Sequence, residues 1–387
     1  MRIAVLTRYL NRDGRPWLTD DLIFALNNAG HKVDVFHYRQ DDQRANFGSA
    51  EISTLEQPFA RGKIRMLLAH ALMLRRFGME LIRKRYDVVI TFSAFGFFAP
   101  LLQLHKALRR GSTRHVGFLW DFYPVQRIEM GVSREGLLAK IIYRIENSCL
   151  RSMDTLAVMT ERNAEYLRSY HPNLDLEVRT VGLWRDFRES WVAQEKTVEY
   201  FGLSPEKRYV VFGGSVNEGR NVGLLMEAAL SMQESDPDVA FLLVGASDNT
   251  FLRDQILRNQ LANLKAMDRL PMSEYLALLA HCDAGVVVTS ADVESPSFPS
   301  KSLDYMWREL PIVAAVVESS DFGEIVEHGA KCGLACAPDN VQDFIEAVQR
   351  VLVDVESGNS MGRNGKAFLE NSLSPDAILG KLCLLTT

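Results

Sequence analysis

The residues best suited to chemistry lie in one stretch, Glu294-Ser-Pro-Ser-Phe-Pro-Ser-Lys-Ser-Leu-Asp-Tyr-Met306. The apolar runs at 284–289 and 311–317, on either side of it, are typical of buried strands. Pro299 and Ser300 favour a helix that begins near Ser300, with Ser300 as its N-cap. Strand, loop, helix and strand make a βαβ unit, whose loop lies at the carboxyl edge of a parallel sheet.

This edge suits a phosphate-bearing ligand. The free N–H groups and the dipole at a helix N-terminus attract anions, and Lys301 adds a cation there. Asp304, one turn into the helix, can accept hydrogen bonds from sugar hydroxyls. The alternative is an ordinary crossover in which Asp304 only complements the helix dipole.

A second anion-binding pattern follows the apolar run 209–212. Gly213 and Gly214 allow close approach of the backbone to an anion, and the guanidinium of Arg220 can bind a diphosphate through two hydrogen bonds. The chain lacks Gly-x-Gly-x-x-Gly and a Walker Lys-Ser/Thr, which argues against dinucleotide and ATP sites. A surface arginine is the alternative for Arg220.

In the first half of the chain, Asp121 is the candidate for acid–base chemistry. It follows the apolar segment 115–119, within Leu119-Trp-Asp-Phe-Tyr-Pro124, and is expected at the carboxyl end of a strand. There it can orient an acceptor hydroxyl or act as a base. The alternative is a structural aspartate that caps the following turn.

Length and composition predict a soluble protein of two domains. The 387 residues are 47% hydrophobic and 24% charged, and no apolar run approaches the roughly 20 residues that cross a bilayer. The N-terminus is interpreted as a first strand rather than a signal peptide. Five cysteines, an odd number in apolar contexts, favour structural thiols in a reducing cytoplasm over a metal site.

Charge separates the two halves of the chain. Residues 1–196 carry 30 Lys and Arg against 22 Asp and Glu, whereas residues 197–387 carry 14 against 27. The segment 61–85 alone has eight Lys and Arg against one Glu and is predicted to be helical. Its basic side is either a solvated face or a patch that holds the protein at anionic lipid.

Several of these motifs resemble glycosyltransferase family 4, which has the GT-B fold. The stretch 299–306 is similar to the family's Pro-Ser-Lys-x-x-Glu-Tyr-Met, and Trp120-Asp-Phe-Tyr-Pro124 resembles a signature of its polysaccharide-assembly members. The resemblance implies an α/β protein of two Rossmann-like, doubly wound domains facing across a cleft. An acceptor domain at 1–190, a sugar-nucleotide domain at 191–365 and a returning helical segment at 366–387 are expected.

The resemblance also assigns the site. Asp121, Glu294 and Lys301 are expected to be catalytic, and Arg8, Tyr9 and Gly14 to form the acceptor loop. The residues expected to bind the donor nucleotide and diphosphate are Gly213, Gly214, Ser215, Arg220, Gly245, Leu270, Met272, Pro299, Ser300, Lys301 and Asp304. The family has an acid eight residues before the position of Asp304, where this chain has Pro296, so Asp292 or Glu294 is expected to take its role.

The implied activity is retaining sugar transfer without a metal or other cofactor. The donor is a nucleoside-diphosphate sugar, UDP- or GDP-linked, and the acceptor is a lipid-linked or polysaccharide glycan in exopolysaccharide synthesis. The protein is expected in the cytoplasm, with peripheral contact to the inner membrane face through residues 61–85, and without a nucleic-acid partner. The alternatives are a non-catalytic GT-B protein that binds nucleotide or a glycosyltransferase partner, and a sugar-nucleotide 2-epimerase.

Overall fold

The computed structural model describes residues 1–7, 10, 18–39, 52–58, 63–93, 98–109, 111–131, 133–187, 196–214, 220–245 and 250–384. The chain divides into two compact units. The N-terminal unit comprises Met1–Ile128, Ser133–Trp184 and Ser374–Thr387, and the C-terminal unit comprises Glu129–Val132 and Arg185–Leu373. No helix of the described residues is long and apolar enough to cross a membrane.

The N-terminal unit is built on a parallel sheet. Its strands are β1 (Arg2–Thr7), β2 (Lys32–Arg39), β3 (Ile52–Pro58), β4 (Val88–Phe92), β5 (Arg114–Leu119), β6 (Thr155–Val158) and β7 (Glu177–Thr180). They follow the spatial order β3-β2-β1-β4-β5-β6-β7. Val5 of β1 pairs with Val35 on one side and Ile90 on the other, which makes the first strand an interior strand of the sheet.

Helices connect these strands and cover the sheet. They are α1 (Leu18–Asn28), α2 (Lys63–Arg83), α3 (Ala99–Leu108), α4 (Val125–Glu129), α5 (Leu137–Leu150) and α6 (Glu161–Tyr170). Strands β1 and β4 are almost wholly buried, because helices cover both faces of such a sheet. Phe36, Phe77 and Leu102 meet in the core on one face.

The C-terminal unit repeats the plan with a second parallel sheet. Its strands are β8 (Arg208–Gly213), β9 (Val239–Val244), β10 (Leu264–Met267), β11 (Ala284–Val288), β12 (Ile312–Ala315) and β13 (Gly333–Cys336), in the order β10-β9-β8-β11-β12-β13. This is the strand order of doubly wound nucleotide-binding folds. Its direction reverses between β8 and β11, where such folds bind their ligands. The predicted pair of doubly wound parallel sheets is confirmed.

The helices of this unit are α7 (Val222–Ser235), α8 (Thr250–Arg258), α9 (Met272–Leu279), α10 (Lys301–Trp307), α11 (Phe322–Glu324), α12 (Val341–Glu356) and α13 (Ser360–Ser372). A 3₁₀ turn at Val198–Phe201 precedes β8, and a π-helical turn at Ile325–Gly329 continues α11. Leu225, Val286, Val313, Phe344 and Val348 form the centre of the core.

The last helix, α14 (Pro375–Lys381), belongs to the N-terminal unit. Ser374 caps it by accepting the backbone N–H of Ala377. Arg114 donates a hydrogen bond of 3.0 Å to the carbonyl of Leu382, and the ring of His31 lies 2.5 Å from the carbonyl of Leu384. The end of the chain is therefore fastened across the strands of the first sheet, while the preceding helix α13 stays with the second unit.

Candidate functional site

Two glycine loops meet at the carboxyl ends of β8 and β9 in the C-terminal unit. The backbone N–H of Gly214 donates to the carbonyl of Val244 at 3.0 Å. Gly245 has a φ of +101°, and a Cβ on it would lie 2.8 Å from the carbonyl oxygen of Gly214. A side chain at Gly245 is thus excluded both by its backbone conformation and by its neighbour. The loops leave bare backbone at the edge where a ligand would bind.

Two buried tyrosines lie beneath these loops. The hydroxyl of Tyr305, in α10, accepts a 2.9 Å hydrogen bond from the backbone N–H of Gly213, and the Tyr305 ring packs on Gly285. Tyr275, in α9, places its hydroxyl against Gly213 and beside the Tyr305 hydroxyl, without a well-aligned hydrogen bond between the two. Burial raises the pKa of both phenols, so both remain neutral.

Lys301 and Asp304 form an ion pair at the start of α10. The ammonium of Lys301 lies 2.9 Å from Oδ2 of Asp304 and 4.1 Å from the centre of the Tyr275 ring. Asp304 is only 5% exposed, whereas about a third of the Lys301 side chain remains open to solvent. The buried carboxylate and the aromatic face therefore hold the cation in place while one side of it stays free for an anion.

Arg220 supplies a second cation immediately before α7. Burial lowers the pKa of its guanidinium, with Tyr305 as a smaller opposing influence. Within the described residues, its side chain has neither an ion-pair nor a hydrogen-bond partner.

The turn before α10 differs from the sequence prediction in one respect. Ser300 occupies the position before the helix, but its backbone is already helical and its side chain makes no capping bond. The hydroxyl of Ser302 donates instead to the carbonyl of Pro299 at 2.7 Å. The prediction that Ser300 caps α10 with its side chain is therefore wrong, because this turn is closed around Pro299.

The two candidate acids of the preceding loop are both exposed. Asp292 contacts the hydroxyl of Ser290, at 3.3 Å. Glu294 is fixed by its backbone, whose carbonyl accepts the hydroxyl of Ser319, and its carboxylate has no partner among the described residues. The carboxylate of Glu129, which groups with this unit, accepts both the backbone N–H and the hydroxyl of Ser295 and thereby fixes the loop.

Leu270 and Met272 flank Pro271 at the start of α9. Met272 is buried and Leu270 is partly exposed. Tyr275 follows one turn later, with its backbone N–H bonded to the carbonyl of Pro271 at 2.8 Å. The same short helix therefore carries these two residues and the tyrosine that contacts Lys301.

Asp121 lies in the N-terminal unit, directly after β5. The hydroxyl of Ser93 accepts the backbone N–H groups of both Trp120 and Asp121, at 2.5 and 3.1 Å. The Asp121 side chain reaches solvent, yet the protein around it raises the pKa of its carboxyl, with Arg127 as a weaker opposing influence. The proposed acceptor loop (Arg8, Tyr9 and Gly14) and Ser215 lie outside the described residues.

Two family models match this chain. The model described as "Glycosyl transferase 4-like domain" matches residues 18–184, and that described as "Glycosyl transferases group 1" matches residues 207–354. The chain is also similar to "Probable glycosyltransferase WbjE" of Pseudomonas aeruginosa, at 24% identity over 266 residues. That alignment covers 66% of this chain and 64% of WbjE, so it spans less than two thirds of the relative. The chain carries two glycosyltransferase domains.

Solved structures support the GT-B fold of this chain. It is similar to sucrose-phosphate synthase from Thermosynechococcus elongatus, with a TM-score of 0.74, 14% identity and coverage of 99% and 98% of the two chains. The structure of Anabaena HepE in complex with UDP-glucose is similar with a TM-score of 0.67 and 15% identity, and the match covers 99% of this chain and 98% of HepE. WaaG, a glycosyltransferase involved in lipopolysaccharide biosynthesis, is similar with a TM-score of 0.62 and 14% identity, and the match covers 99% of each chain.

The structure brings Gly213, Gly214, Gly245, Lys301 and Asp304 together around the buried tyrosines. It also adds residues that sequence reasoning missed. Tyr275 and Ser93 carry no local signal, because each lies in an ordinary apolar or polar context and acts only on residues distant in the chain. The tyrosine of the motif itself, Tyr305, was the available clue that the glycine loop rests on an aromatic side chain.

Proposed function

We propose that this glycosyltransferase is a retaining, metal-independent member of glycosyltransferase family 4. It takes a sugar from a nucleoside-diphosphate sugar, UDP- or GDP-linked, and transfers it to a lipid-linked or polysaccharide acceptor in the synthesis of cell-surface polysaccharide. The C-terminal unit binds the donor and the N-terminal unit binds the acceptor. The protein works in the cytoplasm, with peripheral contact to the membrane that holds its acceptor.

The pair of cations Lys301 and Arg220 carries this proposal. A diphosphate favours positive partners in a place shielded from water. Lys301 lies over the ring of Tyr275, whose hydroxyl meets Gly213, and Arg220 precedes the capping residue of α7 in the segment that follows Gly214. Lys301 is already positioned by Asp304 and Tyr275, so little side-chain entropy remains to be lost when the ligand binds.

Asp304 then acts on the nucleoside. Lys301 contacts only one oxygen of its carboxylate, Oδ2, which leaves the other oxygen to accept a ribose hydroxyl. The backbone groups of Leu270 and Met272 recognise the base, and the backbone at Gly245 lies beneath the nucleoside. Glu294, on the exposed loop, contacts the hydroxyls of the donor sugar.

In the reaction the bond between the anomeric carbon and the donor phosphate oxygen breaks. Lys301 and Arg220 stabilise the negative charge that develops on the leaving diphosphate, the role that a divalent cation fills elsewhere. The acceptor hydroxyl attacks the same face of the sugar and gives its proton to the departing phosphate oxygen. Asp121 orients that hydroxyl by accepting a hydrogen bond from it.

The acceptor class is inferred from three observations. The Trp-Asp-Phe-Tyr-Pro signature is similar to that of polysaccharide-assembly enzymes, the first half of the chain carries an excess of positive charge, and WaaG acts in lipopolysaccharide biosynthesis. An anionic lipid surface or a lipid-diphosphate glycan is the kind of partner that a basic domain attracts.

A second candidate function is nucleotide binding without sugar transfer. The observation in its favour is that Asp292 and Glu294 are both exposed and that neither carboxylate is fixed against Lys301 or Asp304. A sugar-nucleotide 2-epimerase is the remaining candidate, and it would convert donor without any acceptor.

Turnover with UDP- and GDP-sugars in EDTA, with lipid-linked glycans as acceptors, separates these functions. We expect metal-free transfer with retention of the anomeric configuration, read by NMR of the product. Glu294→Gln should lower the rate, whereas Asp292→Asn, on the same exposed loop, should lower it less. An inverted product or a metal requirement would contradict the proposed mechanism. Nucleotide binding without turnover would favour the non-catalytic function.

A further inference from the structure

The outer helices of the N-terminal unit expose an apolar surface that its core does not use. Among the described residues, large hydrophobic side chains exposed on three helices are Leu68, Leu72 and Met79 of α2, Leu104 and Leu108 of α3, and Leu137, Leu138, Ile141 and Ile145 of α5. Leu137 and Leu138 are 76% and 70% exposed. We call this set the apolar helical surface.

The three helices are neighbours, so the surface is continuous. A Cβ on Gly78 of α2 would lie 3.2 Å from Leu101 of α3, which shows how closely these two helices pack. On the other side of α3, the amide of Gln103 donates a 2.6 Å hydrogen bond to the hydroxyl of Ser148 in α5. The middle helix therefore joins the exposed faces of its two neighbours.

Each helix reaches the core with its opposite face. In α2, Met73, Phe77 and Leu81 are fully buried, while Leu68, Leu72 and Met79 recur at helical spacing on the outer side. In α5 the buried residues are Glu146, Cys149 and Leu150, near the end of the helix. The exposed leucines at its start are thus available to a partner outside the fold.

Cations border this apolar surface. Arg75 of α2 and Lys140 and Arg144 of α5 are exposed, and none of them forms an ion pair within the part of the chain that the structure describes. The acid of α2, Glu80, is neutralised by Arg83 and Lys84. Glu135 is exposed just before α5, next to Arg134. The balance of charge around the leucines is positive.

We infer that the apolar helical surface docks on an anionic lipid bilayer. Leucine and isoleucine on one side with lysine and arginine beside them is the composition of helices that lie in the membrane interface, with the apolar side chains in the acyl region and the cations at the headgroups. Protein interfaces favour aromatic residues and deplete lysine instead. A symmetric contact between two copies would bring Arg75, Lys140 and Arg144 towards like charges.

This inference deepens the proposed function, because a lipid-linked acceptor lies in such a bilayer, and it moves the membrane contact beyond residues 61–85. The start of α5, rather than the basic helix alone, supplies the most exposed apolar side chains. Since no described helix can span the membrane, the contact is one in which helices lie on the bilayer.

Sedimentation of the full chain with vesicles tests the inference. We expect binding to phosphatidylcholine vesicles that contain phosphatidylglycerol, weak binding to phosphatidylcholine alone, and a loss of binding at high salt. Leu137→Gln with Leu138→Gln should weaken binding by at least about tenfold. Lys140→Gln with Arg144→Gln should weaken it by about 25-fold, at about fivefold for each cation.

Matched controls lie on the C-terminal unit. Leu230→Gln with Leu257→Gln and Arg258→Gln with Arg350→Gln change exposed residues there, with Leu230 54% and Leu257 75% exposed, and should leave vesicle binding unchanged. The inference would be overturned if the protein bound both kinds of vesicle equally or bound neither. It would also be overturned if the protein self-associated and the double variant of Leu137 and Leu138 abolished that self-association. Nucleotide binding by the same variants without vesicles separates this outcome from a failure of the proposed function.

Discussion

Gly213 and Tyr275 stand so close that no side chain fits at position 213: a Cβ there would lie 2.1 Å from the tyrosine hydroxyl. The glycine is needed because an aromatic side chain supports the loop from below, and not only because a ligand approaches it from above. The packing of α9 against the end of β8 therefore shapes the proposed donor site before any ligand binds.

Gly213→Ala should lower the free energy of unfolding by about 1–3 kcal/mol, because the new methyl group overlaps the Tyr275 hydroxyl. Tyr275→Phe removes that oxygen and leaves the ring carbon at 2.8 Å as the next contact. The double variant should therefore lose less stability than the sum of the two single variants. Gly329→Ala, where the nearest atom is 3.9 Å away, is the control. Strict additivity in urea unfolding would contradict the contact.

Tyr305→Phe should cost about 1–3 kcal/mol of unfolding free energy, because it leaves the buried N–H of Gly213 without an acceptor. Tyr275→Phe is the matched comparison, since the Tyr275 hydroxyl has no hydrogen-bond partner in the described structure. Thermal unfolding should place Tyr305→Phe clearly below Tyr275→Phe. The reverse order would show that Tyr275 holds the loop.

Ser93→Ala should lower the acceptor kcat/KM by roughly tenfold to a hundredfold. The variant removes the oxygen that accepts the N–H groups of Trp120 and Asp121, so Asp121 loses its fixed position. Nucleotide affinity should not change, because Ser93 belongs to the other unit. Ser112→Ala, which removes an exposed hydroxyl bonded to the Arg109 carbonyl, is the control. A loss of nucleotide affinity in Ser93→Ala would contradict this role.

Stability should fall in mild acid through the buried pair His105 and His115, in which Nδ1 of His105 lies 2.9 Å from Nε2 of His115. Burial lowers the pKa of His105 and lowers that of His115 to about 4, with His105 as a further cause for His115. The unfolded chain binds protons below its pKa near 6.5, while the folded chain resists them until about pH 4. The folded state therefore loses up to about 3 kcal/mol from His115 as pH falls across this window.

His115→Gln should flatten the dependence of the melting temperature on pH between about 4 and 6.5. The exposed His328 provides the control, since His328→Gln should preserve the wild-type slope. An unchanged slope in His115→Gln would assign the acid sensitivity to other groups, such as the buried His171, whose pKa burial also lowers to about 4.

The sequence patterns predicted the two parallel sheets well, because these depend on local signals. Apolar β-branched runs mark buried parallel strands, and glycines at 213 and 214 mark the end of one of them. Helical spacing places Lys301 and Asp304 on the same face, and the structure pairs them.

What the sequence could not show depends on contacts between distant segments. Nothing near Tyr275 indicates that its hydroxyl meets Gly213, and nothing near Ser93 indicates that it orders Trp120 and Asp121. The prediction of a side-chain cap at Ser300 was wrong because the packing of the Pro299 turn decides which serine hydroxyl forms a hydrogen bond there. The hydroxyl of Ser302 does so, and that of Ser300 does not. Likewise, helical periodicity does not tell which of two apolar sides, as in α5, is left exposed.

The most direct test of the account is the binding of nucleotides in EDTA, measured by thermal stabilisation across four diphosphates (UDP, GDP, dTDP and ADP) and the monophosphate CMP. We expect one diphosphate to raise the melting temperature, with about 2.7 kcal/mol of stabilisation at a hundred times its Kd. Lys301→Met and Arg220→Met should each weaken affinity by at least about tenfold, while Arg258→Gln should not. The proposed donor site of the C-terminal unit would be contradicted if stabilisation needed a metal or persisted in both variants. It would also be contradicted if none of the nucleotides stabilised the protein.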